Sequence, residues 1–146
     1  MRLNLQSDYA LRTLMLLATH DGDLVTIGQI AERFAISQNH LMKVAYLLGR
    51  YGFIETVRGR SGGLRLARLP ETIIVGDVVR RMEGDLALVE CFQGGAGGCV
   101  ITDVCRLRGV LHQALDAFLS VLDGFTIADL TTRNPRLTNL LSGEAD

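Results

Sequence analysis

The chain of 146 residues is long enough for one domain with its own hydrophobic core, and 48% of its residues are apolar. Its longest uninterrupted apolar run, residues 14–18, is too short to cross a membrane, and the polar start lacks the apolar core of a secretion signal. These features predict a cytoplasmic protein without a membrane partner, in a compartment where thiols stay reduced. The formal net charge of −1 hides an asymmetry, because residues 1–70 carry nine Lys and Arg against five Asp and Glu, whereas residues 71–146 carry six against eleven. The basic half is therefore the one expected to bind a polyanion.

Three amphipathic helices are predicted in the basic half. The first lies in "SDYALRTLMLLATHDG", with Ser7 as its amino-terminal cap. Thr26 caps the second helix, and Gln29 stands three positions later, as a capping box requires. Ser37 caps the third helix, "QNHLMKVAYLLGRYG", and Gly52 ends it.

The second and third helices are joined by the short segment "AIS", which is the pattern of a helix-turn-helix. Polar side chains at the start of the later helix can present donors and acceptors to base edges in a major groove, and Lys43, one turn further on, can reach a phosphate. The candidate base-reading residues are Ser37, Gln38, Asn39 and His40. Any short helix pair with a solvated end shows the same pattern, so this pattern alone does not predict DNA binding. The segment that follows supplies further evidence.

Two short strands, "FIETV" and "LRLA", flank the turn "RGRSGG". Arg58 and Arg60 place positive charge at the tip of this hairpin, and Ser61 and Gly62 complete a tip whose glycines let the backbone approach a phosphate or enter a minor groove. The alternative is a solvated hairpin whose arginines have no function. That alternative requires the helix pair, the polar start of the third helix and the basic wing to occur together by chance. We therefore predict a mainly α fold with a small β-hairpin wing, a winged helix-turn-helix that binds DNA.

A linker through Pro70 leads to a predicted helix from about Gly76 to Glu83, and "CRLRGVLHQALDAFLSVLDG" predicts a long amphipathic helix. The apolar stripe of this long helix is broader than a small winged domain can cover, which favours burial against its copy in a homodimer. Packing within the same chain is the alternative. Thr126 caps a short helix, and the tail from Asn134 is expected to be poorly ordered.

All three cysteines, Cys91, Cys99 and Cys105, lie within fifteen residues. An odd number of cysteines cannot all pair within one chain, so metal binding, redox sensing or simple burial remain. The glycine-rich segment "FQGGAGG" offers few apolar neighbours for burial, whereas three thiolates in such a loop form a site for a soft metal or an iron-sulfur cluster. Zinc held by the three cysteines with His112 or an Asp, and a metal-free thiol switch, stay open as alternatives.

Four segments together carry a resemblance to a known family. "MRLNLQSDYALR", "VRGRSGGLRLAR", "IIVGDVVRRMEG" and the cysteine segment followed by "FLSVLDGFTIADL" resemble the winged-helix iron-sulfur repressor family that contains IscR and NsrR. The resemblance runs from residue 1 to about residue 132, and within the family it is greatest to the nitric-oxide-sensing NsrR-like members.

This resemblance implies a homodimer with an iron-sulfur cluster, 4Fe-4S or 2Fe-2S, held in each subunit by Cys91, Cys99 and Cys105. It also implies a fourth ligand from the first helix of the partner subunit, where Asp8 stands; an acid that favours the helix dipole is the alternative reading of Asp8. IscR-like members have a ligating histidine three residues after the last cysteine. This chain has Arg108 there, so a histidine-ligated cluster is not expected.

The function implied is that of a transcriptional repressor bound to an inverted-repeat operator in double-stranded DNA. A carboxylate is a hard, weakly held ligand of iron, so nitric oxide is expected to nitrosylate the cluster, release Asp8, loosen the loop and free the operator. We assign residues 1–70 to a winged helix-turn-helix DNA-binding domain, 71–132 to the cluster-binding loop and dimerisation helix, and 133–146 to a carboxyl-terminal tail.

Other readings of the same sequence remain. One is a related iron-sulfur, iron or redox-responsive regulator, or a winged-helix regulator based on zinc or thiols. Another is a protein-binding module of a cluster-assembly or zinc-handling system. The chain has no GxxxxGK[ST] loop, no HExxH motif and no recognisable nucleophile with its base, so an enzyme is not predicted.

Overall fold

A computed structural model describes residues 2–93 and 99–143. The predicted glycine-rich loop falls mainly on residues 94–98, which lie outside the described residues. The helices are α1 (Leu5–Ala18), α2 (Ile27–Phe34), α3 (Gln38–Arg50), α4 (Val75–Glu83), α5 (Arg106–Asp123), α6 (Ile127–Thr131) and α7 (Pro135–Ser142), and the strands are β1 (Ile54–Val57) and β2 (Gly63–Leu66). Short 3-10 turns lie at Pro70–Thr72, Glu90–Phe92 and Thr102–Val104. The predicted fold class, mainly helical with one hairpin, is confirmed.

The first turn of α1 corrects one prediction. Asn4, and not Ser7, is the amino-terminal cap, because its side-chain oxygen accepts a hydrogen bond from the backbone N–H of Ser7 at 2.8 Å. Ser7 is fully buried, and its hydroxyl donates to Glu83 Oε1, which also accepts from the backbone N–H of Asn4 at 2.9 Å. Asn and Ser cap helices about equally well. The carboxylate at the end of α4 therefore decides which of them lies inside the helix.

The helix-turn-helix forms largely as predicted. The capping box of α2 is present, with the backbone N–H of Thr26 donating to Gln29 Oε1 at 2.8 Å. Ala35 adopts a left-handed conformation, φ 52°, and turns the chain between α2 and α3. Ser37 occupies the cap position of α3, but its side chain makes no capping hydrogen bond. Gly52, at φ 73°, follows the end of α3 as expected.

The hairpin is antiparallel, with Ile54 opposite Leu66 and Val57 opposite Gly63. Val25 joins it through a pair of backbone hydrogen bonds with Leu64, at 2.8 and 2.9 Å. Leu64 is buried, so β2 is anchored in the core close to the turn, while Arg58, Arg60 and Ser61 in the turn are exposed.

The hydrophobic core is centred on α1, which packs against α3, α4 and α6. Residues on both sides of residue 70 share this core: Leu14, Leu48 and Phe53 belong to the same buried cluster as Val78 and Ile127. Residues on the two sides of position 70 therefore share one core. The predicted boundary at residue 70 stays a proposal about which part binds DNA and which part carries the cysteines.

The carboxyl-terminal segment differs from the expectation of a poorly ordered tail. Residues 135–142 form α7, capped by the side chain of Asn134, which accepts a hydrogen bond from the backbone N–H of Leu137 at 3.1 Å. Leu141 is buried, and Arg33 of α2 donates to the carbonyl oxygen of Leu140 at 3.2 Å. The buried leucine and the arginine contact attach α7 to the rest of the fold, although the sequence predicted a poorly ordered tail.

The long helix α5 is fastened to α4 by a two-bond ion pair. Arg80 Nη1 and Nη2 each donate to a carboxylate oxygen of Asp123 at 2.6 Å. This hydrogen bonding lowers the pKa of Asp123 below its ordinary value. A side chain at Gly76 would overlap the same carboxylate, so glycine leaves the space that the pair occupies. None of the helices in the described part of the chain is long and apolar enough to span a membrane.

Candidate DNA interface and cysteine segment

The amino-terminal turn of α3 presents the predicted base-reading residues to solvent. Ser37, Gln38, Asn39 and His40 are all exposed, as is Lys43 one turn later. The His40 ring lies 6.3 Å from the ring of Tyr9, so His40 leans toward α1.

The wing tip presents Arg58, Arg60 and Ser61, which are exposed. Gly62 is half-buried, and a Cβ at this position would overlap the carbonyl oxygen of Val57. The backbone N–H of Gly62 also donates to the carbonyl oxygen of Gly59 at 3.1 Å, so Gly62 closes the turn. The structure thus gives Gly62 a role in shaping the tip, beside its predicted approach to DNA.

The arginines of the wing differ in whether they form ion pairs with carboxylates. Arg65, within β2, forms an ion pair at 3.0 Å with Glu55 on the facing strand. By contrast, Arg58, Arg60 and Lys43 have no ion pair within the part of the chain that the structure describes. Uncompensated charge therefore lies at the wing tip and along α3, which are the elements that a winged helix applies to DNA.

The three cysteines are free thiols, with Cys99 exposed and the other two half-buried. Cys105 is the residue immediately before α5, where the helix dipole favours negative charge. Phe92, next to Cys91, stacks on His112 of α5 with ring centroids 3.7 Å apart. The segments carrying the first and last cysteines are thus both attached to the first turns of α5.

Within residues 2–93 and 99–143, no three His, Cys, Asp or Glu side chains are grouped closely enough to hold a metal ion. The predicted joining of Cys91, Cys99 and Cys105 in one site therefore stays a prediction. His112, the candidate zinc ligand, is exposed and stacks the face of its ring on Phe92.

Asp8 lies in the first turn of α1, about 40% exposed, and pairs with Arg12 one turn later at 2.7 Å. The carboxylate is accessible to solvent, as a ligand that is supplied to another chain must be. Its role as a ligand stays a prediction.

The predicted apolar stripe of α5 is only partly covered by its own chain. Leu119 is buried, whereas Leu107 and Val110 are 63% and 60% exposed. The chain itself thus covers the end of the helix near Asp123 and leaves the amino-terminal half open.

The sequence matches the Rrf2 family, described as an iron-dependent transcriptional regulator, over residues 3–133. This chain belongs to the Rrf2 family. The HTH-type transcriptional regulator NsrR of Geobacillus kaustophilus is 51% identical over 142 residues, which cover 97% of both chains. The NsrR of Bacillus licheniformis is 47% identical over 143 residues, covering 97% of this chain and 100% of the relative.

A solved Rrf2-like structure has the same architecture. The IscR of T. potens superimposes with a TM-score of 0.72 at 26% identity, covering 100% of this chain and 93% of that one. The relatives are named transcriptional regulators and not enzymes, so the chain is an NsrR-like transcriptional regulator, as the sequence predicted.

Sequence reasoning missed two features of this Rrf2 chain. The stack of Phe92 on His112 is not predicted by apolar periodicity, and its signal in the sequence is an aromatic residue directly after the first cysteine of a glycine-rich segment. Met42 and Tyr46 are exposed apolar residues on the otherwise polar face of α3. Their departure from the helical apolar pattern was the signal that could have found them.

Proposed function

We propose that this Rrf2 protein is a homodimeric repressor that binds an inverted-repeat operator and leaves it in response to nitric oxide at an iron-sulfur cluster. The observation that carries the DNA-binding part is the unpaired charge of Lys43, Arg58 and Arg60, beside a solvent-exposed polar turn. Cations left without carboxylate partners are available to phosphates, and each such contact releases counterions from DNA.

In the proposed complex, the start of α3 lies in the major groove. The side-chain amide of Gln38 or Asn39 can form two hydrogen bonds with the major-groove edge of an adenine. Lys43 and the two wing arginines contact phosphates on either side, which positions the helix without reading sequence.

The proposed homodimer is supported by the open half of α5. Leu107 and Val110 are spaced three residues apart, so they lie on one face of the helix and expose apolar surface that a second copy would bury. A two-fold dimer presents two α3 helices to half-sites about 34 Å apart or a multiple of that spacing, which an inverted repeat provides.

The donor set fits an iron-sulfur cluster. Cys91, Cys99 and Cys105 are unpaired thiols at or near the protein surface, and Cys105 stands at the favourable end of the α5 dipole. They would hold the cluster, and Asp8 of a partner subunit would complete it. When bound, the cluster supplies iron that reacts with nitric oxide.

The chain's own residues provide the link to DNA binding. Arg12 already holds Asp8 in an ion pair within α1, so a released Asp8 carboxylate has a partner in its own helix. Helix α1 also packs on α3, and Tyr9, next to Asp8, faces His40. A change at Asp8 therefore acts on a helix that supports the reading helix.

The first test is anaerobic purification, followed by an absorption spectrum and iron, sulfide and zinc analysis before and after a stoichiometric nitric oxide donor. Visible absorption with iron and sulfide, changed by nitric oxide, is expected. A colourless protein that holds zinc, or holds no metal after reconstitution, would overturn the cluster. Cys99→Ser should abolish iron binding while His112→Ala retains it, whereas a zinc site that uses His112 would lose metal in both variants.

The DNA part is tested by operator binding at several salt concentrations. Arg60→Ala should weaken binding to all sequences and lower the slope of log affinity against log salt by about 0.9 for each phosphate that the variant no longer neutralises. Arg65→Ala is the matched control on the same hairpin, because its charge is already paired with Glu55, and it should leave the slope unchanged. Equal binding by holo and apo protein at fixed salt would contradict the proposed control by the cluster.

A further inference from the structure

An apolar pair interrupts the polar face of α3. Met42 is 57% exposed and Tyr46 is 67% exposed, although both lie in the middle of a well-formed helix. The buried face of the same helix is complete without them, since it is formed by Leu41, Val44, Ala45 and Leu48. Neither side chain is therefore needed to fill the core.

Helical spacing aligns this pair with a predicted base-reading residue. Gln38, Met42 and Tyr46 are separated by four residues each, so they form one row along the helix surface, with neighbours about one turn apart. Asn39 and Lys43 form the adjacent row. The apolar pair thus continues, along α3, the surface that begins with the amide of Gln38.

We propose that Met42 and Tyr46 are specificity-determining residues that pack against thymine methyl groups in the major groove of the operator. The 5-methyl group of thymine is the one apolar group that base pairs display in that groove. The charge around the pair favours DNA as the occupant, because Lys43 in the adjacent row and Arg58 and Arg60 on the wing have no ion pair within the described residues. This inference rests on the proposed DNA-binding function and further identifies thymine as the base that Met42 and Tyr46 contact.

Methionine suits such a contact physically. Its unbranched, polarizable side chain adapts to an irregular apolar surface, and a tyrosine ring one turn later offers a larger apolar face with little loss of conformational entropy. Removing one buried methyl from this interface should weaken binding roughly fourfold, the equivalent of one buried CH₂ group.

The experiment uses a duplex selected by the full-length protein from a randomised pool, with each thymidine then replaced singly by deoxyuridine, which lacks only the methyl. Wild-type protein is expected to lose roughly fourfold in affinity at one or more of these positions. Met42→Ala or Tyr46→Ala should bind the thymine duplex more weakly and show little further loss with uracil at the position its side chain contacts. Uracil penalties of the same size in wild type and in both variants, at every position, would overturn the inference.

Two controls keep the outcomes distinct. Lys43→Ala, in the adjacent row, should lower the salt slope but retain the uracil penalties. Leu140→Ala removes a similarly exposed apolar side chain from α7 and should change neither. If no duplex is enriched and retention of DNA by the protein is insensitive to salt, both the proposed DNA binding and the thymine contact are wrong. If a duplex is enriched but the uracil penalties are the same in wild type and variants, only the thymine contact is wrong.

Discussion

Two regions of this protein are built in different ways. The winged-helix body, defined as the described residues outside 84–123, contains almost the whole buried core, with α4 and α6 packed around α1 beside the helix-turn-helix. The arm, defined as residues 84–123, has Leu119 as its one buried residue among those that the structure describes. The arm also carries all three cysteines and the open apolar half of α5.

This difference shows that a single chain buries the apolar side chains of the body but leaves those of the arm exposed. Burial of apolar side chains stabilises the body within a single copy. The arm exposes apolar side chains and free thiols, which are stabilised when another group covers or binds them. A second copy and a cluster are the groups that we propose for this purpose.

The same leucine-to-alanine substitution should strongly destabilise the body and hardly affect the stability of the arm. Leu14→Ala, at a fully buried position of α1, should lower the free energy of unfolding by about 2–5 kcal/mol. Leu107→Ala, on the exposed part of α5, should change it by no more than about 0.5 kcal/mol in the monomer. Urea unfolding measures both, and sedimentation equilibrium should show weaker dimerisation for Leu107→Ala alone. Equal destabilisation by the two variants would erase the distinction between body and arm.

An intermediate effect is expected at the caps within the body. Thr26→Ala removes a hydrogen-bonded capping box and should cost about 0.5–2 kcal/mol. Ser37→Ala removes a hydroxyl that makes no capping hydrogen bond, so its stability cost should be smaller. Thermal unfolding compares the two, and DNA binding should be reduced more by Ser37→Ala if that exposed residue contacts the operator. The reverse order of stability costs would show that Ser37 caps α3 in solution.

The smallest effect is expected where the arm joins the body. Arg80 lowers the pKa of Asp123 in the folded protein, so the pair contributes stability above the unfolded pKa of about 3.9 and loses it as pH falls through the folded pKa. Asp123→Asn should therefore be less stable than wild type at neutral pH, and the difference should shrink in acid. High salt should also reduce it, because the pair is partly exposed. Unfolding curves across this pH range measure the difference, and a gap that stays constant in acid would assign it to a cause other than the ion pair.

Much of the body could be predicted from local patterns. The capping boxes at Thr26 and Thr126, the branched strands of the hairpin and the glycine after α3 act within a few residues of their own positions. The exposed placement of Gln38, Asn39, Arg58 and Arg60 followed for the same reason. The choice of Asn4 over Ser7 as a cap could not be predicted, because it depends on a carboxylate 79 residues from Asn4 along the chain.

Local sequence was sufficient to predict the family, the winged helix-turn-helix and the occurrence of all three cysteines within fifteen residues, because short-range periodicity, turn chemistry and motif spacing depend on neighbouring residues. The folded structure was needed to show that α4 and α6 complete the core around α1, that Arg80 holds α5 through Asp123, and that residues 135–142 form a helix contacted by Arg33 of α2. These contacts join residues far apart in the chain, and their stability depends on burial and on partners that local sequence does not specify.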